Sequence, residues 1–487
     1  MKTGNPDETK IKFSDFDKLN LKPFAKNLLK SIEKGTSSSV GEQGALTISL
    51  NAEFGNGKTT FLKMFKHFIE DEKNQDYNVI FINAWTADFY GDPIIAILSE
   101  FVYLIEENKE MQKNEIKEIT NKIAGIIGKI SSYKATCLTG SVLNQTLRKI
   151  IGIDLKEIKS DMNNTQDIKN HKQTTKVIEN QNILKELNEI KSAISDLKDI
   201  IQKYTENKKL IIIVDELDRA RPDYAVHFLE DIKHFFDIKD VIFLVGVNRQ
   251  QIETTVQCLY GKELNFDGYY RKFFKQEIDL PDPYKEAQRL VDALIEKTKI
   301  SFPNQGSNRD YKTSGIYRFC KTFNLTLREI EIFINVCHQI LGNEKQAISS
   351  WTEMDCYSFF ICLFLKDREE FKKILARDYT VDNFKEFVSQ KGFEYENHQY
   401  ESDKSKQKEK SELNNLLGHV ACSFATQKHV EEDKEKIENY FKGFYIGSIS
   451  KKGGIIAIGI NGLTLEKGQP ALNICKNINH FKSAFNE

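Results

Sequence analysis

The chain has 487 residues, enough for two to four domains and a large core. Its 70 Lys and Arg nearly cancel its 71 Asp and Glu, so no global basic field argues for nucleic acid, although a local patch stays open. The eight cysteines show no CxxC or Cys/His metal spacing and read as reduced thiols.

The polar start (MKTGNPDETKIKF) lacks the apolar centre of a signal peptide. No run of 18 apolar residues occurs, so no transmembrane helix and a cytoplasmic location are expected. Residues 14–35 suggest a helix after Pro23, with Phe24, Leu28, Leu29 and Ile32 on one face and Gly35 as its stop. Residues 35–44 (GTSSSVGEQG) read as a loop.

Residues 46–50 (LTISL) have the look of a buried strand, and the sequence from Thr60 (TFLKMFKHFIE) suits a helix. Between them lies AEFGNGKT, a phosphate-binding loop in the required strand–loop–helix context. The expected binding residues are Ala52, Glu53, Phe54, Gly55, Asn56, Gly57, Lys58, Thr59 and Thr60. Gly55 and Gly57 permit the tight turn that points several N–H groups at one phosphate. The helix beginning near Lys58 adds the positive end of its dipole. Lys58 can reach the β- and γ-phosphates, and Thr59 can offer its hydroxyl to Mg²⁺. Ala52 stands where the strict pattern has Gly, at small cost if its φ stays negative.

Residues 78–85 (NVIFINAW) read as a second buried strand, which brings Asn83 and Trp85 to the ligand edge of an α/β sheet. A core role for Trp85 is equally compatible. Asp92-Pro93 starts a helix over 94–106. Residues 107–209 form a long insertion. Its stretch 119–153 is too charged to span a bilayer and fits packing on the protein's own core better than a basic surface helix. Residues 160–175 look like a polar linker. Ile183, Leu187, Ile190, Ile194, Leu197 and Ile201 then form a helical stripe, for a coiled-coil contact or for lying on the sheet.

Residues 210–215 (LIIIVD) are the strongest strand pattern, ending in Asp215 and Glu216. Asp215 can hold Mg²⁺ through water, and Glu216 can orient or deprotonate an attacking water. Residues 223–237 form an amphipathic helix whose His227, Glu230 and His234 lack a further ligand for a metal. Residues 241–247 (VIFLVGV) make another buried strand, followed by Asn248, a polar strand end suited to sensing phosphate or lytic water. Residues 275–283 (KQEIDLPDP) read as an edge strand stopped by proline. From 284 the pattern is helical over 284–298, 316–341 and 351–390. Residues 398–413 are a charged linker, and GGIIAIGINGLTLEKG near the end suggests a hairpin or two short strands.

Taken together, AEFGNGKTT, FINAW, IIIVDELDRARP, VIFLVGVN, YYRKFFKQEIDLP and NLTLREIEIFIN resemble the KAP family of P-loop NTPases, in the additional-strand group related to AAA+ and STAND proteins. The resemblance covers roughly residues 14–340. It implies an α/β fold, a parallel sheet flanked by helices, with a helical insertion and a mostly helical C-terminal region. The implied division is 1–283 for the NTPase core, 284–397 for a helical lid, 398–413 for the linker and 414–487 for a small C-terminal region. It implies ATP and Mg²⁺ as cofactors, with Thr59 and Asp215 at the metal and Glu216, Asn248 and Arg328 as catalytic or sensor residues. Glu216 and Asn248 stand where the family often has Asp. Arg328 is similar to an arginine that contacts the γ-phosphate. Arg219 can act at a neighbouring subunit or form a structural ion pair. Phe54 replaces the Trp usual in the loop. The charged insertion implies a soluble member, a type found in phage-defence settings. The expectation is an ATP-hydrolysing switch with a protein effector, with a homo-oligomer left open. A nucleic-acid-acting motor and a nonenzymatic scaffold that uses nucleotide for folding remain as alternatives.

Overall fold

The computed structural model describes residues 11–37, 44–108, 111–139, 189, 191–235, 238–282, 287–298, 315–341, 351–376, 379–393 and short stretches between 413 and 474. The chain divides into two units. The first holds residues 1–17, 21–53 and 58–280, and the second holds 18–20, 54–57 and 281–487.

The first unit is built on five parallel strands: β1 (Leu46–Asn51), β2 (Tyr77–Asn83), β3 (Lys209–Asp215), β4 (Val241–Val247) and β5 (Gln276–Asp279). Their order is β2-β3-β4-β1-β5. The near-continuous apolar runs of β1, β3 and β4 are buried along their length, as interior strands covered on both faces require. β5 is half exposed and takes an edge. Parallel neighbours need crossovers, which the helices Lys58–Glu72, Pro93–Glu106 and Pro222–Ile232 supply. β4 lies between β1 and β3, so the strand before the glycine loop and the strand ending in acid are not adjacent. This is the additional-strand arrangement. In register, Asn51 faces Val247 and Asn83 faces Asp215, so the strands finish together at their C-terminal ends.

Part of the insertion packs on this unit's core. Helix Lys113–Thr139 buries Ile123 and Ile126, and helical residues 191–205 bury Ala193, Leu197 and Ile201 in the same cluster. Ile183, Leu187, Ile190 and the linker at 160–175 lie outside the described residues, as does the charged linker save its last residue.

Several local expectations are corrected. The first long helix spans Lys22–Ser37 and runs through Gly35, where a Cβ would come 2.9 Å from the Leu46 side chain. The absent side chain gives clearance against β1, and it does not end the helix. β2 stops at Asn83, whose side chain caps a short helix, Ala84–Ala87. Trp85 therefore leaves the strand and is 58% exposed, which removes its core reading.

In the second unit, the single helical pattern at 316–341 is two helices, Gly315–Thr322 and Leu327–Leu341. Asn324 takes a left-handed φ of 50° between them. The second helix starts with a reciprocal cap: Glu329 N–H donates to Thr326 Oγ1, while Thr326 N–H donates to Glu329 Oε2 at 2.7 Å. The 351–390 pattern is three helices, Trp351–Lys366, Arg368–Leu375 and Val381–Gln390. The first is buried on every face from Met354 to Phe364, a central helix in an aromatic core. Phe359 meets Phe319, Phe323, Phe384 and Phe387 edge-on. This surrounding core explains the apolar sequence, and among the described residues no helix is long and apolar enough to cross a membrane. In the tail, the glycine-rich stretch forms the expected hairpin of two strands, β7 (Ile455–Ile458) and β8 (Leu463–Leu465), and β6 (Ile449–Lys452) before it adds a third antiparallel strand.

Candidate functional site

The aligned strand ends gather the chemistry-bearing residues of the first unit. The loop after β1 reaches its helix at Lys58, where the sequence places the helix start. Gly55 and Gly57 have φ of 84° and 80°, the left-handed backbone that favours glycine. Ala52 donates its N–H to Val247 O at 3.1 Å, so the loop begins in register with β4. Within the loop, the buried Asn56 Oδ1 has no hydrogen-bond partner.

Lys58 is buried and its Nζ donates to Asp218 Oδ2 at 2.9 Å and to Ala52 O at 3.3 Å. Asp215, at the end of β3, is fully buried, and neither of its carboxylate oxygens meets a hydrogen-bond donor at good geometry. Burial pushes its pKa up to about 6, and the Glu216 charge adds to it; the nearby Thr59 hydroxyl, the Glu216 N–H and Lys58 only partly offset that. An oxygen ligand set left short of donors, beside a threonine hydroxyl at a helix start, fits a hard divalent cation such as Mg²⁺.

Glu216 follows with φ 59° and ψ 27°, a left-handed conformation uncommon for a side chain of its size. The turn leads directly into the short helix Leu217–Arg219, in which the buried Asp218 accepts from Lys58 and from the Asn248 N–H. Glu216 Oε2 accepts from Asn83 Nδ2 at 2.8 Å, and Oε1 pairs with Arg219 at 2.8 Å. Arg219 thus forms the intrachain ion pair. Asn83 also accepts from Thr86 N–H at 3.0 Å, so one side chain caps a helix and holds the acid.

Asn248 caps the helix Arg249–Tyr260, its Oδ1 accepting from Gln251 N–H at 3.3 Å. Its own N–H donates to Asp218 Oδ2 at 2.7 Å. Arg328 is in the second unit, at the start of helix Leu327–Leu341, and its N–H donates to Gly55 O, a residue of the same unit, at 3.2 Å. Thr60 lies in the first turn of the loop helix, while Glu53 and Phe54 are exposed.

Two residues escaped the sequence reading. Asp218 was visible only as part of a charged run, although a carboxylate three residues after a strand-ending acid is a signal worth testing. Gly246 in β4 has no loop signature; a Cβ there would lie 2.6 Å from Leu62 Cδ1, 3.3 Å from Asp215 Oδ1 and 3.4 Å from Lys58 Cδ. Among the described residues, no group of three or more His, Cys, Asp or Glu side chains is arranged to hold a metal ion.

The model of the KAP family P-loop domain matches residues 21–341. Among solved structures, the chain is similar to the Aeropyrum pernix ORC2 protein in its ADPNP and ADP complexes, at 12% identity over 96% of this chain and 94% of that one, with a TM-score of 0.32. No curated protein matches the chain.

Proposed function

We propose that this chain, which belongs to the KAP family of P-loop NTPases, binds and hydrolyses ATP with Mg²⁺ and works as a nucleotide-dependent switch. The observation that carries the reading is Asp215. Its buried carboxylate has no donor at good hydrogen-bond geometry and lies beside Thr59 and Lys58, at the end of the strand next to the additional one. Thr59 and Asp215 would hold the metal. Bound Mg²⁺ would neutralise charge on the β- and γ-phosphates.

The protein's own residues then divide the work. The backbone of 53–58 cradles phosphate, with Lys58 as the point charge. Glu216 orients the attacking water and accepts its proton. The bonds from Asn83 and Arg219 hold Glu216 in one position until they are exchanged. Arg328 reports the γ-phosphate to the helical unit, a role that rests on the family resemblance. The output through a protein effector, and its use in antiviral defence, rest on that resemblance too.

Phosphate release and ATP binding by the full chain test the reading. Lys58→Ala is expected to lose both. Glu216→Gln is expected to retain binding and to lose turnover by roughly 10²-fold or more. A wild-type chain that binds ATP without turning it over would remove the catalytic role of Glu216 and leave a nucleotide-bound scaffold. If expression of the wild type restricts phage plating and Lys58→Ala does so equally, the antiviral switch is wrong.

A further inference from the structure

The two buried acids at the end of β3 and just beyond it, Asp215 and Asp218, are treated differently by the structure. Asp215 has no donor at good hydrogen-bond geometry, although the Thr59 hydroxyl, the Glu216 N–H and Lys58 are close enough to influence it. Asp218 takes the lysine, and the side chains of the pair are 8% and 1% exposed. The same oxygen of Asp218 that receives Lys58 also receives the Asn248 N–H. One carboxylate oxygen therefore joins the phosphate-loop lysine to the first turn of the helix after β4.

We propose that Asp218 is the resting counter-ion of Lys58, which gives up Asp218 for phosphate when nucleotide enters, so that Asp218 passes the exchange through the Asn248 N–H to helix Arg249–Tyr260. The inference rests on the nucleotide-site reading above and assigns a positioning role to a residue that reading does not use.

The physical argument is competition for one cation. An ammonium buried against a carboxylate is held strongly, because little water screens the pair. Entering phosphate must offer Lys58 at least as much. Once Lys58 turns to phosphate, Asp218 is a buried carboxylate that has lost its cation, and it depends more on the Asn248 N–H. The left-handed turn at Glu216 leads straight into the helix that holds Asp218 within hydrogen-bond reach of Lys58 and Asn248. The purpose of such a pair is twofold: it keeps the lysine ordered without nucleotide, and it makes occupancy of the loop felt at β4.

A counter-ion that must be displaced predicts the opposite result from a fixed support for Lys58. ATP affinity of the full chain is measured for wild type and Asp218→Asn, with circular dichroism to establish folding. Asparagine keeps an oxygen that can accept from Asn248 and removes the competing charge. Exchange predicts ATP binding tighter by roughly tenfold in Asp218→Asn. It also predicts a lost nucleotide-dependent change in hydrogen exchange over residues 249–260. Equal or weaker binding by a folded Asp218→Asn overturns the proposal and leaves the nucleotide-site reading intact. No ATP binding by the wild type overturns both. Should Asp218→Asn not fold, the wild type bound to a non-hydrolysable ATP analogue decides by structure. Lys58 Nζ on a phosphate oxygen and beyond about 4 Å from Asp218 supports exchange, while Lys58 still paired with Asp218 overturns it.

Discussion

Asn83 Nδ2 donates to Glu216 Oε2 at 2.8 Å across the ends of two paired strands, where Asn83 stands opposite Asp215. The other face of Asn83 caps the next helix through Thr86 N–H. Asn83→Asp separates these two duties. Aspartate is an equally good cap, so stability changes little. Its carboxylate cannot donate to Glu216 and repels it. If the amide restrains Glu216, unstimulated phosphate release rises several-fold in Asn83→Asp. A fall in release instead means the amide positions Glu216 for the reaction. Asn83→Ala is less informative, because it also removes the cap at about 1 kcal/mol.

The Asp215 carboxyl has its pKa raised from 3.8 to about 6, chiefly by burial. A raised pKa means the folded protein disfavours the ionised form. The resulting penalty is absent below pH 3.8, grows as pH rises to about 6, and is complete above that. Asparagine cannot ionise, so Asp215→Asn is expected to stabilise the metal-free protein at neutral pH by on the order of 2 kcal/mol. Thermal or denaturant unfolding in a chelator reads this directly. The proton and Mg²⁺ compete for the same oxygens, so Mg²⁺ affinity of the wild type should weaken as pH falls through about 6. A magnesium titration that is flat from about pH 5 to about pH 8 would exclude Asp215 as the ligand.

The strands that carry the site were legible because their chemistry is local. β1, β3 and β4 announce themselves as apolar runs, and the loop and the strand-ending acid need specific residue types at specific spacings. What could not be read is what the backbone does between such signals. Nothing in the letters of DELDR says that Glu216 turns left-handed, yet that turn delivers Asp218 to Lys58. The break at Asn324 was hidden for a related reason: apolar residues continue at helical spacing through it, and only the Thr326–Glu329 cap marks a new start. Gly35 misled because a glycine that ends a helix and one that clears a neighbour look the same in sequence. Trp85 was ambiguous because Asn83 stops the strand with a cap, two residues before it.

The Thr326–Glu329 cap gives a test confined to the second unit. Thr326→Ala removes the hydroxyl that accepts from Glu329 N–H and contacts the Glu329 carboxylate. Loss of such a cap costs about 1 kcal/mol. Glu329 also pairs with Lys366 at 2.7 Å, so it stays held after the substitution. Thr326→Ser keeps the hydroxyl and should recover most of the loss. Urea unfolding of the three proteins checks the order; equal midpoints for Ala and Ser would show that the hydroxyl bond contributes nothing.

Gly246 sets the clearance between β4, the loop helix and the two charges at their junction. An added methyl would meet Leu62 Cδ1 at 2.6 Å, a distance that real Cβ atoms essentially never show, so Leu62 must move. Leu62 is fully buried, and its displacement presses on neighbours that are themselves packed. Gly246→Ala should therefore destabilise the protein by about 1–3 kcal/mol, the usual range for overpacking. Leu62→Ala makes room for the methyl. The double variant is expected to be more stable than the sum of the two single losses allows, with a coupling on the order of 1 kcal/mol. Stability and function should part in that double variant. The methyl still lies 3.3 Å from Asp215 Oδ1 and 3.4 Å from Lys58 Cδ whether or not Leu62 is shortened. Nucleotide affinity should stay low after stability is partly regained. If affinity recovers together with stability, Gly246 serves the packing of Leu62 alone and has no separate part in placing Asp215 and Lys58.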